Sequence, residues 1–152
     1  MAKAQIPQPD PDTTAKHFLI VSSIKNVQEV STGQLATQKA KMADVRSFGR
    51  MMVKDHGEAQ QKLLVLAKKQ HITLPPAATG GIQPDLSLKN AGENFDKLYV
   101  HAMVSGHQNS VQAFEAYAIT GKDPVVKTFA REMLPALRQH LDEIKAIQSK
   151  LK

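Results

Sequence analysis

The residues of this sequence that could carry chemistry are histidines and carboxylates, because the 152 residues include six histidines and no cysteine. The lack of cysteine excludes disulfides, thiolate metal sites, iron–sulfur clusters and a cysteine nucleophile. Any transition-metal site would therefore use nitrogen and oxygen ligands. Four residues are candidate metal ligands because of their positions in the chain: Glu29, His56, His107 and His140.

These four residues lie on the inward faces of four predicted helices. At about 100° of rotation per residue, each of the three histidines falls within the apolar stripe of its helix. Glu29 falls instead within a stripe of small residues, which lets helices approach closely and leaves room for one large polar group. The neighbours on the same faces are Met52 and Leu63 for His56, Met103 and Phe114 for His107, Phe129 and Met133 for His140, and Ser22, Gly33 and Ala36 for Glu29.

The four positions also share a height along the predicted helices. Glu29 and His56 each lie about 13 residues from the first tight turn, on opposite sides of it, while His107 and His140 lie about 15 and about 17 residues from the last one. In antiparallel helices, equal distances from a connecting turn place residues at equal heights. We therefore expect the four side chains to form one buried layer, to within about 3 Å.

A buried layer of three imidazoles and one carboxylate is unfavourable unless its members share a cation or a proton network. Three histidines and a carboxylate make a four-ligand set for Zn or Cu, whereas Mg and Ca prefer oxygen ligands. The Glu-x-x-His motif of di-iron bundles does not occur, so no di-iron centre is expected. We expect three residues at the edges of the same faces to orient the histidine rings: Asp55, Tyr99 and Glu143.

Two other interpretations of the same layer remain open. It can be a metal-free Glu–His network that fixes helix register in a structural or interaction module. The layer can also be part of an enzyme's active site, although the sequence contains no phosphate-binding glycine loop, no nucleophile elbow and no recognisable substrate pocket. No catalytic residue and no organic cofactor are therefore predicted.

The elements that must position this layer are helices, and no alternating β pattern occurs. They are predicted over about Thr13–Lys41, Asp44–Gln70, Glu93–Thr120 and Pro124–Leu151, with one further helical turn at Leu86–Asn90. The connections within the first pair and within the last pair are short, which makes each pair antiparallel. The predicted fold is all-α: one up-down-up-down four-helix bundle over residues 13–152, after an extended or disordered proline-rich tail over residues 1–12.

The charge pattern limits the partners that can be predicted. The net charge of +6 comes from 20 basic and 14 acidic residues, and the lysines cluster at helix ends with acidic residues between them. No arginine-rich or aromatic-interleaved stripe occurs, so nucleic-acid binding is not predicted. No run of about 18 apolar residues occurs, so no membrane span is predicted. The positive charge allows a weak association with anionic envelope surfaces, and the sequence identifies no protein partner.

Several short motifs occur in an order and spacing that resemble those of one known family. The motifs are Glu29-Val30-x-x-Gly33-Gln34-Leu35-Ala36, Met52-Val53-x-Asp55-His56, Phe95-Asp96-x-x-Tyr99, Met103-Val104-x-x-His107 and Leu134-Pro135-x-Leu137-x-x-His140-Leu141. They are similar to those of a bacterial ferritin-like family of unknown function whose members are often labelled as outer membrane proteins. The resemblance implies a ferritin-like four-helix fold and lends no enzymatic activity. Because members usually carry an export signal, it also implies a periplasmic or exported protein, while the sequence itself is equally compatible with a cytoplasmic one.

Overall fold

The computed structural model describes residues 14–79 and 85–152, which form five α-helices and no β-strand. The predicted all-helical class is therefore confirmed for the described residues. The proline-rich tail predicted over residues 1–12 lies outside them. The helices are α1 (Ala15–Lys39), α2 (Ala43–Lys69), the short α3 (Leu86–Lys89), α4 (Phe95–Thr120) and α5 (Pro124–Ser149), with 3₁₀ turns at Pro76–Ala78 and Gly92–Asn94.

Local signals in the sequence explain where the long helices begin and end. The Thr14 side chain caps α1 by accepting a hydrogen bond of 3.2 Å from the backbone N–H of His17. Asp123 caps α5 in the same way, accepting from the second and third residues that follow it. Pro124 then occupies the first helical position, where its missing N–H costs nothing. The helix continues through Pro135 to Ser149.

Two glycines bring α1 and α2 into direct backbone contact. A Cβ on Gly33 would lie 2.8 Å from the carbonyl oxygen of Gly49, and a Cβ on Gly49 would lie 2.8 Å from the Cβ of Ala36. Packed interiors do not accommodate separations this short, so any larger residue would push the helices apart. The crossing fixes α2 against α1, and it thereby sets the position of His56, about two turns after Gly49.

The long helices pack as two pairs. α1 packs along α2 and α4 packs along α5, while the contacts of α2 with α5 and of α1 with α4 are much smaller. The sparse contact between α1 and α4 leaves a cleft between them. None of the helices in residues 14–79 and 85–152 combines the length and apolarity needed to cross a bilayer, which confirms the absence of a membrane span for this part of the chain.

The interior consists of two apolar clusters with a polar layer between them. One cluster contains Phe48, Met52 and Tyr99 and lies toward the α1–α2 turn. The other contains Phe18 and Leu63 and lies toward the opposite end. Along each long helix, the buried polar residues fall between these clusters. They are Ser22, Ser23, Asn26, Glu29, Thr32, His56, Gln60, His107 and His140. The apolar clusters cover the layer at both ends, and burial there raises the cost of any charge or unpaired donor.

Candidate metal centre

Three histidines from three helices meet in the polar layer. His56 of α2, His107 of α4 and His140 of α5 are 6%, 1% and 2% exposed. A ring nitrogen of each lies within 4.8 Å of a ring nitrogen of the other two. The ring centroids are 5.4 to 5.7 Å apart. Nitrogen atoms grouped so closely can share one metal ion.

A backbone carbonyl fixes the tautomer of His107. Its Nδ1 lies 2.9 Å from the carbonyl oxygen of Met103, one turn earlier on α4. Because a carbonyl can only accept, Nδ1 carries the proton and Nε2 keeps its lone pair in the neutral ring. That Nε2 is buried and has no hydrogen-bond partner among the described residues. Phe48 packs edge-on against the same ring, with the centroids 6.1 Å apart.

A carboxylate from another helix fixes the tautomer of His140. Its Nε2 donates to Oδ2 of Asp55 at 2.8 Å, which links α5 to α2. With Nε2 as the donor, the ring keeps Nδ1 for another partner, and Nδ1 takes part in no hydrogen bond within residues 14–79 and 85–152. This contact confirms that Asp55 orients one of the histidine rings. Carboxylate–histidine pairs of this kind are the usual support for histidines that ligate metals.

A chain of amides fixes the third ring. Nδ1 of His56 donates to the Asn26 side-chain oxygen at 2.9 Å, and the Asn26 amide nitrogen donates to Gln60 at 3.3 Å. The Gln60 amide donates in turn to Ser23 at 2.7 Å and to the backbone oxygen of Ala78 at 2.8 Å. This chain orients the Asn26 oxygen toward His56 and leaves Nε2 of the ring without a partner in the described part of the protein.

Sequence reasoning missed Asn26 and Gln60. A signal for both was present, because Asn26 precedes Glu29 by three residues and Gln60 follows His56 by four, which places each one turn away on the same helix face. The other two residues expected to orient the rings do not do so. The Tyr99 hydroxyl is buried without a partner among the described residues, and the exposed Glu143 accepts a hydrogen bond from Gln139.

The environment keeps two of the rings neutral. Burial, reinforced by the neighbouring histidines, lowers the pKa of His56 from 6.5 to about 3. Burial lowers the pKa of His107 to about 4, and the hydrogen bond to Met103 partly opposes this shift. Both imidazoles are therefore unprotonated at neutral pH. Their free nitrogens are available to a metal ion without competition from a proton.

Glu29 lies buried in the same layer, 7% exposed, but outside the group of nitrogens that fall within 4.8 Å of one another. Its Oε2 has no hydrogen-bond partner among the described residues. Burial raises the pKa of its carboxyl from 4.5 to about 7, although the positive charge of Lys25 opposes this. Glu29 and His56 line one cleft between α1 and α4. The structure thus brings together three of the four predicted residues as a close group.

The fold and the site define an all-helical protein with a buried group of three histidines. Residues 1–147 match the family described as "Domain of unknown function (DUF4142)", and the chain belongs to that family. No curated protein matches the sequence.

Several solved structures share the fold. CopM in the Cu(II)-bound form is 17% identical with a TM-score of 0.73, and the match covers 88% of this chain and 94% of CopM. CopM structures with Cu(I) and with Ag bound match in the same way. A DUF305 fragment from Deinococcus radiodurans is 14% identical with a TM-score of 0.71, over 95% of this chain and 100% of the fragment. Identities this low show a common fold alone.

These matches correct the family expected from the sequence. The resemblance to a ferritin-like family labelled as outer membrane proteins is wrong, because the matching family is DUF4142 and the similar structures are CopM and a DUF305 protein. The motifs behind that resemblance encode inward helix faces and helix ends. Such features recur in many helical proteins and do not distinguish one family from another.

Proposed function

We propose that this protein binds one copper ion through His56, His107 and His140 and serves in copper sequestration or protection against copper stress. The observation that carries the proposal is the arrangement of the three rings. Each donates one N–H to a fixed oxygen acceptor and keeps a second, buried nitrogen without a partner among the described residues. Metal-ligating histidines are held in this way.

The proposed ligand atoms are Nε2 of His56, Nε2 of His107 and Nδ1 of His140. A ring held in one tautomer and one orientation loses little further freedom when its free nitrogen takes a ligand. Glu29 is proposed as the fourth ligand, since it is the buried carboxylate of the same layer. Its negative charge would partly balance that of the bound cation.

Copper is favoured over zinc, the other metal predicted from the ligand types. CopM, which shares the fold, has been crystallised with Cu(II), Cu(I) and Ag bound. Imidazole suits copper in both oxidation states, and at equal ligands Cu(II) binds more tightly than Zn(II). No residue is assigned a catalytic role in this proposal.

The proposal includes an up-down-up-down arrangement of α1, α2, α4 and α5. The three-residue connections within each helix pair and the packing of α1 on α2 and of α4 on α5 support it. A periplasmic or exported location stays a prediction, which fractionation of the native host tests directly.

Titration of the tag-free, metal-free protein tests the proposal. We expect about one Cu(I) per chain, measured by competition with a chromogenic chelator, and binding of Ag(I) at the same site. Free copper at about 100 times the dissociation constant should stabilise the fold by about 2.7 kcal/mol, seen as a rise in Tm. Zn(II) should bind more weakly than Cu(II).

The variant His107→Ala should abolish this binding. His101→Ala is its matched control, because His101 is an exposed histidine on the same helix and its loss should leave copper binding intact. Retention of copper by His107→Ala would contradict the proposed ligand set. If the unmodified protein binds no copper and His107→Ala merely unfolds more easily, the layer is a metal-free structural network instead.

A further inference from the structure

A cleft between α1 and α4 has the size and position of a small-molecule site. Its volume is about 540 Å³, within the range of about 300–1,000 Å³ that is typical of ligand pockets. Its lining extends from exposed residues such as Val21 and Ala113 to the buried Glu29 and His56. The cleft therefore connects the surface to the polar layer.

Aromatic rings form much of the cleft wall. Phe18 of α1 stacks on Tyr117 of α4 with ring centroids 4.1 Å apart, and the edge of Phe114 meets Phe18 with centroids 4.8 Å apart. Val21 and Leu137 add aliphatic surface. A flat apolar body would bury its surface against these rings, which is the main source of affinity in such pockets.

Three buried polar atoms of residues that line the cleft lack a partner among the described residues: Oε2 of Glu29, Nε2 of His56 and the Tyr117 hydroxyl. Glu29 is 7% exposed, and its Oε2 receives no hydrogen bond from any described residue. A buried acceptor left unpaired is unfavourable, and a ligand that donates a hydrogen bond removes that cost. The unpaired Glu29 oxygen, at the buried end of a cleft walled in part by aromatic rings, thus favours a ligand that carries a donor.

The charges in the lining limit the head group of such a ligand. Lys25 lines the same cleft and its charge acts on Glu29, so a cationic head group would be repelled by Lys25. An anionic head group would meet the Glu29 carboxylate. A neutral N–H or O–H donor avoids both repulsions and still bonds to the carboxylate oxygen.

We propose that the α1–α4 cleft binds a small neutral molecule with a flat apolar body and one N–H or O–H donor, the donor bonding to Glu29 and the body packing against the aromatic wall that includes Phe18 and Phe114. The cleft is lined by two of the proposed copper ligands, Glu29 and His56, whereas His107 and His140 do not line it. Ligand binding to the cleft is testable in the metal-free protein, so its outcome does not depend on copper binding.

Binding of N-phenyl-1-naphthylamine to the metal-free full-length chain tests the proposal. This neutral dye fluoresces in apolar surroundings and carries one N–H donor. We expect saturable one-site binding. Its isostere 1-benzylnaphthalene, in which CH₂ replaces the N–H, should compete about ten-fold more weakly, the loss expected for one hydrogen bond. In Glu29→Leu the two ligands should bind equally well.

Substitutions that fill the cleft locate the binding site. Ala113→Phe places a ring in the cleft and should reduce dye affinity at least ten-fold. Gln112→Phe is the matched control, because Gln112 is the neighbouring exposed residue of α4 and lines none of the described cavities. This control should leave dye affinity unchanged. Val21→Trp blocks the opposite wall and replaces Ala113→Phe if that variant does not fold by circular dichroism. Absence of saturable binding, unchanged affinity in the blocked variant, or a ligand preference that persists in Glu29→Leu would each overturn the proposal.

Discussion

Nε2 of His140 on α5 donates a 2.8 Å hydrogen bond to Oδ2 of Asp55 on α2, so the residue next to His56 in the chain orients a histidine on another helix. Consecutive helical residues point about 100° apart. Asp55 can therefore reach the edge of the layer while His56 faces its centre. This pair ties α2 to α5, two helices that otherwise share few contacts.

Replacing Asp55 should weaken copper binding without removing a ligand. Asp55→Ala frees the His140 ring to rotate and to change tautomer, so we expect copper affinity to fall about 10- to 100-fold. The His140 N–H also loses its acceptor, which should lower the free energy of unfolding by about 1–3 kcal/mol. Chelator competition and urea unfolding measure the two effects.

Two further variants make the Asp55 experiment specific. Asp55→Asn keeps an oxygen acceptor and should recover most of the copper affinity. Glu143→Ala removes an exposed carboxylate that holds no histidine and should change neither property. Equal affinity in Asp55→Ala and the unmodified protein would show that the hydrogen bond does not support the site.

Acid should destabilise the metal-free protein. The pKa values of His56 and His107 are about 3 and about 4, below the 6.5 of unfolded histidine, so from pH 6.5 downward the unfolded state binds about two more protons. The pKa of Glu29 is about 7 in the folded protein and 4.5 in the unfolded chain, so in this pH range Glu29 holds a proton only in the folded state. This proton cancels one of the two extra protons that the unfolded histidines bind. Between pH 6.5 and 4.5, stability should therefore fall by about 1.4 kcal/mol per pH unit.

Removing the Glu29 carboxylate should make this acid dependence steeper. Glu29→Gln cannot take up the compensating proton, so the slope of the free energy of unfolding against pH should roughly double in the same window. The measurement is a series of urea unfolding curves for both proteins between pH 4.5 and 7. A slope unaffected by the substitution would mean that the folded carboxyl titrates near its ordinary pKa.

The contact between Gly33 and Gly49 predicts a sharp position dependence for alanine substitutions. Gly33→Ala places a methyl group 2.8 Å from a backbone oxygen, and the strain should lower the free energy of unfolding by about 1–3 kcal/mol. Gly57→Ala is the matched control on α2, since nothing lies within 4 Å of the added methyl group. It should raise stability by about 0.5–1 kcal/mol through helix propensity. Thermal unfolding of the two variants compares them, and similar stabilities would contradict the close crossing.

Much of the helical framework could be predicted from the chain because helix signals are local. The predicted second helix, Asp44–Gln70, agrees with the observed Ala43–Lys69 to within one residue at each end, and Asp123 and Pro124 marked the start of α5. Periodicity also placed His56, His107 and His140 on inward faces. Counting residues from each turn then gave their common height. The family was not predictable in this way, since helix faces and caps recur across unrelated helical proteins.

The sequence by itself determined the ligand types, because it contains histidines and no cysteine. It also determined which helix faces carry those histidines. Only the tertiary structure decided which nitrogen of each ring is free, because the tautomers depend on acceptors that come partly from other helices, such as Asn26 for His56 and Asp55 for His140. It also decided that Glu29 lies outside the close group of nitrogens and beside a cleft. Helical periodicity fixes a direction to within tens of degrees, whereas the distances between side chains depend on rotamers and on how closely the helices cross.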